Sequence, residues 1–264
     1  MKIVSYNINS LRLRLPLLKN FVDEINPDVI CLQETKVADE FFPHEGVKEL
    51  GFEYVEFSGE KSYNGVAILS KFPLKNTQKI DVAGYGHKRH ISATIEFGDK
   101  EVELHNFYIP AGGDEADPKI NPKFDHKLKF LDWMVEHFKE KQGKNLIIVG
   151  DFNIAPLEHD VWSHKQLLKV VSHTPIEVER LEKIRASADF IDTHRHFVPE
   201  SEKLFSWWSY RGKEPFKSNR GRRLDHIWCS HSLKNHMKSV ETYQNYRIVE
   251  SPSDHVPILT HFQK

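Results

Sequence analysis

Short apolar, β-branched runs recur along this chain, and one after another they end on a carboxylate or an amide. Ile3-Val4-Ser5-Tyr6 runs into Asn7, and Val29-Ile30-Cys31-Leu32-Gln33 runs into Glu34. Leu146-Ile147-Ile148-Val149-Gly150 meets Asp151, with Asn153 close behind. Asp225 follows Leu224 and precedes Ile227-Trp228, and Ser253-Asp254-His255 leads into Val256-Pro257-Ile258-Leu259. Runs of this length and composition are buried strands. Strands tipped in this way can gather their polar ends into one site. Hard oxygen donors so gathered suit a divalent cation and phosphate chemistry.

The rest of the chain narrows the class. With 264 residues, 39% hydrophobic and 11% aromatic, it has ample material for a core and is not of disordered composition. No apolar run approaches the roughly 18 residues of a membrane span. The start, Met1 to Asn7, is too short in its apolar part for a signal peptide and is expected to be a first strand. Cys31 and Cys229 each sit inside an apolar run, so buried thiols rather than a disulfide are expected, as suits a reducing cytoplasm. A formal net charge of -1 neither requires nor excludes a nucleic-acid partner. Locally the balance differs: Arg211, Lys213, Lys217, Arg220, Arg222 and Arg223 face a single acid, Glu214, which makes this stretch a candidate phosphate-binding edge.

No repeat, low-complexity tract or long linker divides the chain, so one domain over residues 1–264 is expected. The pattern predicts strands over 2–6, 28–33, 52–57, 65–70, 91–97, 101–108, 145–150, 224–229 and 256–261. One helix is expected from a first turn at Pro16 to just before Asn26-Pro27, with an apolar stripe of Leu15, Leu18, Val22 and Ile25. A second covers roughly 123–141 with Phe124, Leu128, Leu131, Val135 and Phe138 on one face, and Gly143 marks its stop. A third begins at Thr174-Pro175-Ile176-Glu177, which has the form of a capping box. Many strands with few amphipathic helices imply helices covering packed sheets.

Each polar tip also has an ordinary reading. Glu34 can be a solvated strand end, Asp151-Phe152-Asn153 an Asx-type turn, and Ser253-Asp254-His255 another turn. Asp225 resists this, because an unpaired carboxylate inside an apolar strand is costly, so a partner such as a histidine is expected. Asn7 and Tyr108 are polar tips of the same kind.

In combination these fragments resemble the exodeoxyribonuclease III branch of the endonuclease/exonuclease/phosphatase superfamily, enzymes that cut DNA at abasic sites. The resemblance is carried, in family order, by Val4-Ser5-Tyr6-Asn7-Ile8-Asn9, Leu32-Gln33-Glu34-Thr35-Lys36 and Asn106-Phe107-Tyr108-Ile109-Pro110. It continues through Gly150-Asp151-Phe152-Asn153-Ile154-Ala155-Pro156, Asp192-Thr193-His194-Arg195 and Phe205-Ser206-Trp207-Trp208-Ser209-Tyr210-Arg211. Asn219-Arg220-Gly221-Arg222-Arg223-Leu224-Asp225 and Ser253-Asp254-His255-Val256-Pro257 complete it, so nearly the whole chain is covered. The resemblance implies an α/β fold, a four-layer αββα sandwich of two mixed sheets face to face with helices outside.

It also implies roles. Glu34 is expected as the principal Mg²⁺ or Mn²⁺ ligand, with Asn7 and Asp254, and with Asp151, Asn153 and His255 close to the ion. Asp151 would orient or deprotonate the attacking water, and Asn153 would hold water or a phosphate oxygen. His255, oriented by Asp225, would meet the scissile phosphate, and Tyr108 the phosphate and leaving group, with no covalent intermediate. Phe205, Trp207 and Leu224 resemble an apolar wall for a flipped-out sugar lacking its base. Arg89, Arg220 and Arg222, with Lys119 and Lys123, are expected on the DNA backbone. Two loops depart from the pattern: Ala111 to Asp117 is acidic, and Trp162-Ser163-His164-Lys165-Gln166 is differently composed. Both lie where the family probes the damaged nucleotide.

The expected activity is Mg²⁺-dependent incision of double-stranded DNA 5′ to abasic sites, with 3′→5′ exonuclease and 3′-end cleaning, by a cytoplasmic monomer without a membrane partner. A phosphodiesterase of the same fold acting on RNA or phosphoinositide is the alternative. A catalytically silent nucleic-acid-binding module is a third.

Overall fold

The computed structural model describes residues 1–211 and 214–264; Lys213 of the basic stretch lies outside them. In chain order the strands are β1 (Lys2–Asn7), β2 (Val29–Gln33), β3 (Tyr54–Glu60), β4 (Tyr63–Ser70), β5 (Lys75–Gln78) and β6 (His90–Phe97). They continue as β7 (Lys100–Tyr108), β8 (Leu146–Asp151), β9 (Phe190–Asp192), β10 (Asp225–Ser230), β11 (Met237–Thr242) and β12 (Ile258–Phe262). The three long helices are α1 (Leu11–Ile25), α2 (Pro122–Lys139) and α3 (Pro175–Ser187). Two six-stranded sheets result, ordered β11-β12-β1-β2-β4-β3 and β5-β6-β7-β8-β10-β9. Both are mixed: β1 runs parallel to β2 and β7 parallel to β8, while the remaining pairings are antiparallel.

The two-residue alternation of side chains builds the layers. Ile3, Val29, Cys31, Val66 and Ile68 of the first sheet meet Ile91, Leu104, Ile147, Val149 and Ile227 of the second in a core between them. The intervening residues Val4, Tyr6, Ile30, Leu32 and Leu69 turn the other way, onto Leu17, Leu18 and Phe21 of α1. Phe107, Leu146 and Ile148 likewise turn outward onto Phe130, Leu131, Met134 and Phe138 of α2, with Leu181 and Ile184 of α3 in the same cluster. Both faces of each sheet are thus covered, which is why its central strands are apolar throughout.

Register then decides where the tips fall. Asn7 pairs with Gln33, so Asn7 and Glu34 end side by side on the first sheet. On the second, Asp151 sits between Tyr108 and Asp225 in register. Gly150 permits this crowding, since a Cβ there would lie 1.9 Å from the Phe107 carbonyl oxygen.

Nine strands lie within a few residues of their expected positions; β5, β9 and β11 were not expected. The first is a short exposed edge, the second has three residues, and the third is a half-exposed polar edge strand, so none carries a clear apolar alternation. Helix α1 starts at Leu11, not near Pro16; a break at Arg14 (φ -108°, ψ 16°) divides it, and Pro16 stands in the first turn of the second part. Its buried face is centred on Leu17, Leu18, Phe21 and Val22, with Leu15 and Ile25 only partly buried. Asn26, left-handed at φ 49°, closes the helix through its N–H to the Val22 carbonyl. The capping box of Thr174 and Glu177 at the start of α3 is present. Cys31 and Cys229 are free and buried, and burial pushes both thiols up. No helix among the described residues is long and apolar enough to cross a membrane.

Candidate active site and metal centre

At the common end of the two sheets, Asn7 joins the strand tips. Its Nδ2 donates to Glu34 Oε1 and to Asp151 Oδ2, each at 2.9 Å, while its Oδ1 accepts from the Asn9 backbone N–H at 3.1 Å. Asn7 therefore presents its amide nitrogen, not its oxygen, to the carboxylates. Glu34 leaves strand β2 in the left-handed region (φ 51°), which costs a glutamate about 1–3 kcal/mol. Flanking backbone bonds from Ser10 to the Glu34 carbonyl and from Thr35 to the Gly65 carbonyl hold that bend. The Tyr108 hydroxyl donates to Glu34 Oε1 at 2.9 Å, and the Lys36 ammonium lies 2.7 Å from Oε2. Burial would raise the Glu34 carboxyl, but the Lys36 charge and the Asn7 hydrogen bond hold it below its ordinary value.

Asp151 is 1% exposed. Its Oδ1 accepts from the Asn153 backbone N–H at 2.9 Å and its Oδ2 from Asn153 Nδ2 at 3.1 Å, closing the Asx-type turn. Asn153 is left-handed (φ 54°), a conformation asparagine tolerates. Burial, together with the Asp225 and Glu34 charges, raises the Asp151 carboxyl to about 7 against the pull of His255.

The partner anticipated for Asp225 is His255, whose Nδ1 lies 2.8 Å from Asp225 Oδ2; the adjacent His226 turns instead to the Ile154 carbonyl. Ser206 Oγ also donates to Asp225 Oδ2, at 2.6 Å, and accepts from the Leu224 and Asp225 backbone N–H groups, fixing the carboxylate. Burial would lower the His255 imidazolium, but the charges of Asp225 and Asp151 prevail and raise it to about 10. Its Nε2 stands 3.6 Å from Asp151 Oδ2 and 3.4 Å from Asn7 Nδ2, so it lacks a close acceptor.

One ligand atom from each of Glu34, Asp151 and His255 falls within a 4.8 Å group, a compact candidate for a divalent cation. Asp254 is not in that group, because its oxygens accept from Asn9 Nδ2 and Trp207 Nε1, each at 2.9 Å. The oxygen donors are the two carboxylates, since His255 is held protonated and Asn7 turns its N–H groups inward; such hard donors fit a partly hydrated divalent cation better than a soft metal.

The remaining expected residues divide. Trp207 is half-buried beside the cluster, pairing in an antiparallel bridge with His255. Phe205 and Leu224, expected on an apolar wall, are 2% and 4% exposed and stand behind it: Phe205 packs on Trp208 and Val256, Leu224 on Ala155, Val161 and Leu167. Arg89, expected on the DNA backbone, is 4% exposed and lies over the Tyr108 ring, with Nη1 donating to the Tyr108 carbonyl at 3.3 Å. Asp192 is tied to Arg223 at 2.7 Å rather than to the cluster. Arg220 and Arg222 border a cavity next to Trp207.

Sequence reasoning missed three residues. Lys36 stands two residues beyond Glu34 and could have been suspected as its counter-charge. Ser206 gave no signal. Lys127, wholly buried in α2, pairs with Glu177 at 2.5 Å and donates to the Asn153 carbonyl at 2.8 Å. A lysine in an amphipathic helix reads as solvated, so only the structure reveals it.

Two mixed sheets back to back, helices outside, and an acid, amide and histidine cluster at one shared end define the DNase I-like αββα class. The chain belongs to the endonuclease/exonuclease/phosphatase family, which matches residues 4–255. It is 34% identical to exodeoxyribonuclease III of Haemophilus influenzae, with 100% of each chain covered. It is 29% identical to an exodeoxyribonuclease of Bacillus subtilis, with 98% of each covered. Among solved structures it is similar to an AP endonuclease from Archaeoglobus fulgidus, with 28% identity, a TM-score of 0.91 and 100% of both chains covered. It is similar by the same TM-score of 0.91, at 29% identity and with 100% of both chains covered, to the 3′ phosphatase NExo from Neisseria bound to product DNA hairpin.

Proposed function

We propose that the chain, acting as one catalytic domain, is a divalent-metal-dependent DNA-repair nuclease of the exodeoxyribonuclease III type. It incises duplex DNA 5′ to abasic sites and trims or cleans 3′ ends. The observation that carries the proposal is the convergence of Glu34, Asp151 and the Asp225–His255 pair at one sheet end, in a chain similar to such nucleases over its whole length.

The geometry supports a division of labour. Glu34, with Asp151 close by, would hold a divalent cation, which would supply Lewis acidity and charge neutralisation at the scissile phosphate. Asp151, buried at the cluster with both oxygens held, is placed to orient the attacking water and take its proton. Its orientation is set by Asn7 and Asn153, which hold both of its oxygens. His255, kept protonated by Asp225, directs Nε2–H at the developing charge on the non-bridging oxygens. Burial and the neighbouring Glu34 and Asp151 charges raise the Tyr108 hydroxyl well above its ordinary value, so it serves as a hydrogen-bond donor and not as a base. Asp254 acts at one remove, fixing Trp207 and Asn9 around the site.

The test is a Mg²⁺ titration on two end-labelled duplexes, one with an internal abasic analogue and one undamaged with a recessed 3′ end. Single-site cleavage of the first and laddering of the second, both lost with chelator, are expected. Cleavage of neither, with turnover of RNA or phosphoinositide instead, would refute the assignment.

A further inference from the structure

Behind the strand-tip cluster, Lys127 and Glu177 form an ion pair in which both side chains are wholly buried. Taking two charges out of water offsets most of their attraction, so such a pair is a weak source of stability. What this one holds is geometry. The three N–H groups of the Lys127 ammonium reach three separate segments: Glu177 Oε1 in α3 at 2.5 Å, the Asn153 carbonyl at 2.8 Å and the Ala111 carbonyl at 3.3 Å. A Cβ on Gly112 would lie 2.9 Å from Lys127 Cδ, so the loop after Ala111 is laid against the lysine stem. Glu177 in turn accepts from the Ser172 and Thr174 backbone N–H groups, at 3.0 and 3.2 Å. The Ser172 carbonyl accepts from the Ala155 N–H at 2.7 Å, and the Ser172 hydroxyl accepts from Arg222 Nη1 at 2.7 Å.

The contact with the Asn153 carbonyl is the one that bears on chemistry. Asn153 stands in the left-handed region (φ 54°), and its two ends are held from opposite sides. Its backbone N–H and Nδ2 donate to Asp151 Oδ1 and Oδ2, while its carbonyl accepts from Lys127. Among the described residues no other donor reaches Asp151 Oδ1, since Asn7 binds Oδ2. The direction of that oxygen therefore rests on the turn through Asn153, and the turn rests on Lys127.

We propose that Lys127, paired with Glu177, is a positioning residue for the nuclease reaction: acting through Asn153, it sets the orientation of the Asp151 carboxylate toward the attacking water. The inference rests on the nuclease reading above and deepens its account of the site. The contribution falls on kcat. A carboxylate turned away from the water leaves substrate binding intact and misplaces only the proton acceptor. The three-way contact also accounts for a cation in the dry interior of α2. No apolar side chain could tie the Asn153 turn, the Ala111 loop and the α3 carboxylate together.

The test is steady-state cleavage of a duplex with an internal abasic analogue by the double variant Lys127→Met with Glu177→Gln, which strands no buried charge. Met134→Ala is the control: it lies about two turns further along α2, is equally buried and weakens the fold by truncation alone. All proteins are assayed well below their unfolding temperatures, with duplex binding followed by anisotropy and Mn²⁺ binding by the rise in Tm. The double variant is expected to lose kcat on the order of ten-fold while KM and duplex affinity stay within about two-fold and the Mn²⁺ effect persists. Met134→Ala is expected to keep its kcat. Lys127→Gln with Glu177→Gln is the milder change, which keeps a neutral donor near the carbonyls, and its kcat should fall between the double variant and the unaltered protein. A kcat unchanged in both double variants, or lost to the same extent in Met134→Ala, overturns the positioning role. Absence of metal-dependent cleavage by the unaltered protein would instead overturn the nuclease reading beneath it.

Discussion

Asp225→Asn isolates the electrostatic role of the buried acid without disturbing shape, because asparagine keeps an oxygen for the Ser206 hydroxyl and for His255 Nδ1. With 2.8 Å between Nδ1 and Oδ2, the charge centres are about 4 Å apart, and at an effective dielectric of about 20 the attraction is about 4 kcal/mol. That corresponds to about three pKa units. The imidazolium held at about 10 should therefore fall to about 7 in the variant, where burial nearly cancels the remaining pull of Asp151 and Asp254. The sign is definite: the group becomes easier to deprotonate, so the variant loses its donor as pH rises through neutrality. Side-chain Cε1–H resonances of the metal-free protein, followed against pH, measure this directly. His255→Gln identifies the signal among the 16 histidines. At pH 8 only about a tenth of the variant carries the proton, so kcat should drop at least ten-fold and partly recover towards pH 6. A His255 resonance that already titrates near 6.5 in the unaltered protein, or moves by less than about one unit in Asp225→Asn, would refute the reasoning.

Other perturbations have equally definite outcomes. Lys127→Met strands the Glu177 charge in a fully buried site and should cost about 3–5 kcal/mol in urea denaturation, while Lys127→Met with Glu177→Gln should regain part of that loss. A double variant less stable than the single one would show that the pair's charges are not the issue. Glu34→Ala should abolish both cleavage and the rise in Tm caused by Mn²⁺ while leaving duplex binding measurable by anisotropy; undiminished turnover would remove Glu34 from the metal site. Burial holds His194 down at about 4, so the unfolded chain takes up this proton first as pH falls below about 6.5. Stability from this residue is therefore full above that pH and lost by about pH 4, a change of about 3 kcal/mol. His194→Asn should flatten that part of a stability-against-pH curve, and an identical slope in the two proteins would contradict it.

The central strands were legible because they are buried on both faces, so that apolar runs end abruptly where the sheet ends. That same contrast exposed Asn7, Glu34, Asp151 and Asp225, whose polarity is conspicuous at the close of such runs. The edge strands β5 and β11 lacked it, being half in solvent. Side-chain direction was less accessible still. Phe205 and Trp207 both looked suited to a wall, but only Trp207 faces the cavity, since Phe205 fills space against Trp208 and would meet any Cβ added at Gly221 within 2.6 Å. Arg89 and Lys127 were hidden for a different reason. Long cationic chains are exposed in most proteins, and here both are buried by tertiary partners far away in sequence, Tyr63 and Tyr108 for one and Glu177 for the other.

The cluster's hydrogen bonds support placing the proposed cation here. Asn7 stands between Glu34 and Asp151, and one neutral amide group serves both carboxylates. Among the described residues the cations nearby are committed elsewhere: Lys36 lies on the outer oxygen of Glu34, His255 turns its close contact to Asp225, and Lys127 is paired with Glu177. Asp151 consequently retains the like-charge repulsion that, with burial, lifts its carboxyl towards neutrality. A divalent ion held by these carboxylates would relieve this repulsion, whereas a lysine placed there would neutralise the pair permanently and leave no open position for phosphate. The strained backbone at Glu34 follows the same logic, since a relaxed strand end would carry its carboxylate away from Asp151. Substituting Lys36 by Met removes a cation that competes for Glu34 and should not weaken Mn²⁺ binding in calorimetry, whereas Asn7→Ala, which unties both carboxylates at once, should weaken it. Equal effects from the two variants would mean that the amide bridge does not organise the site.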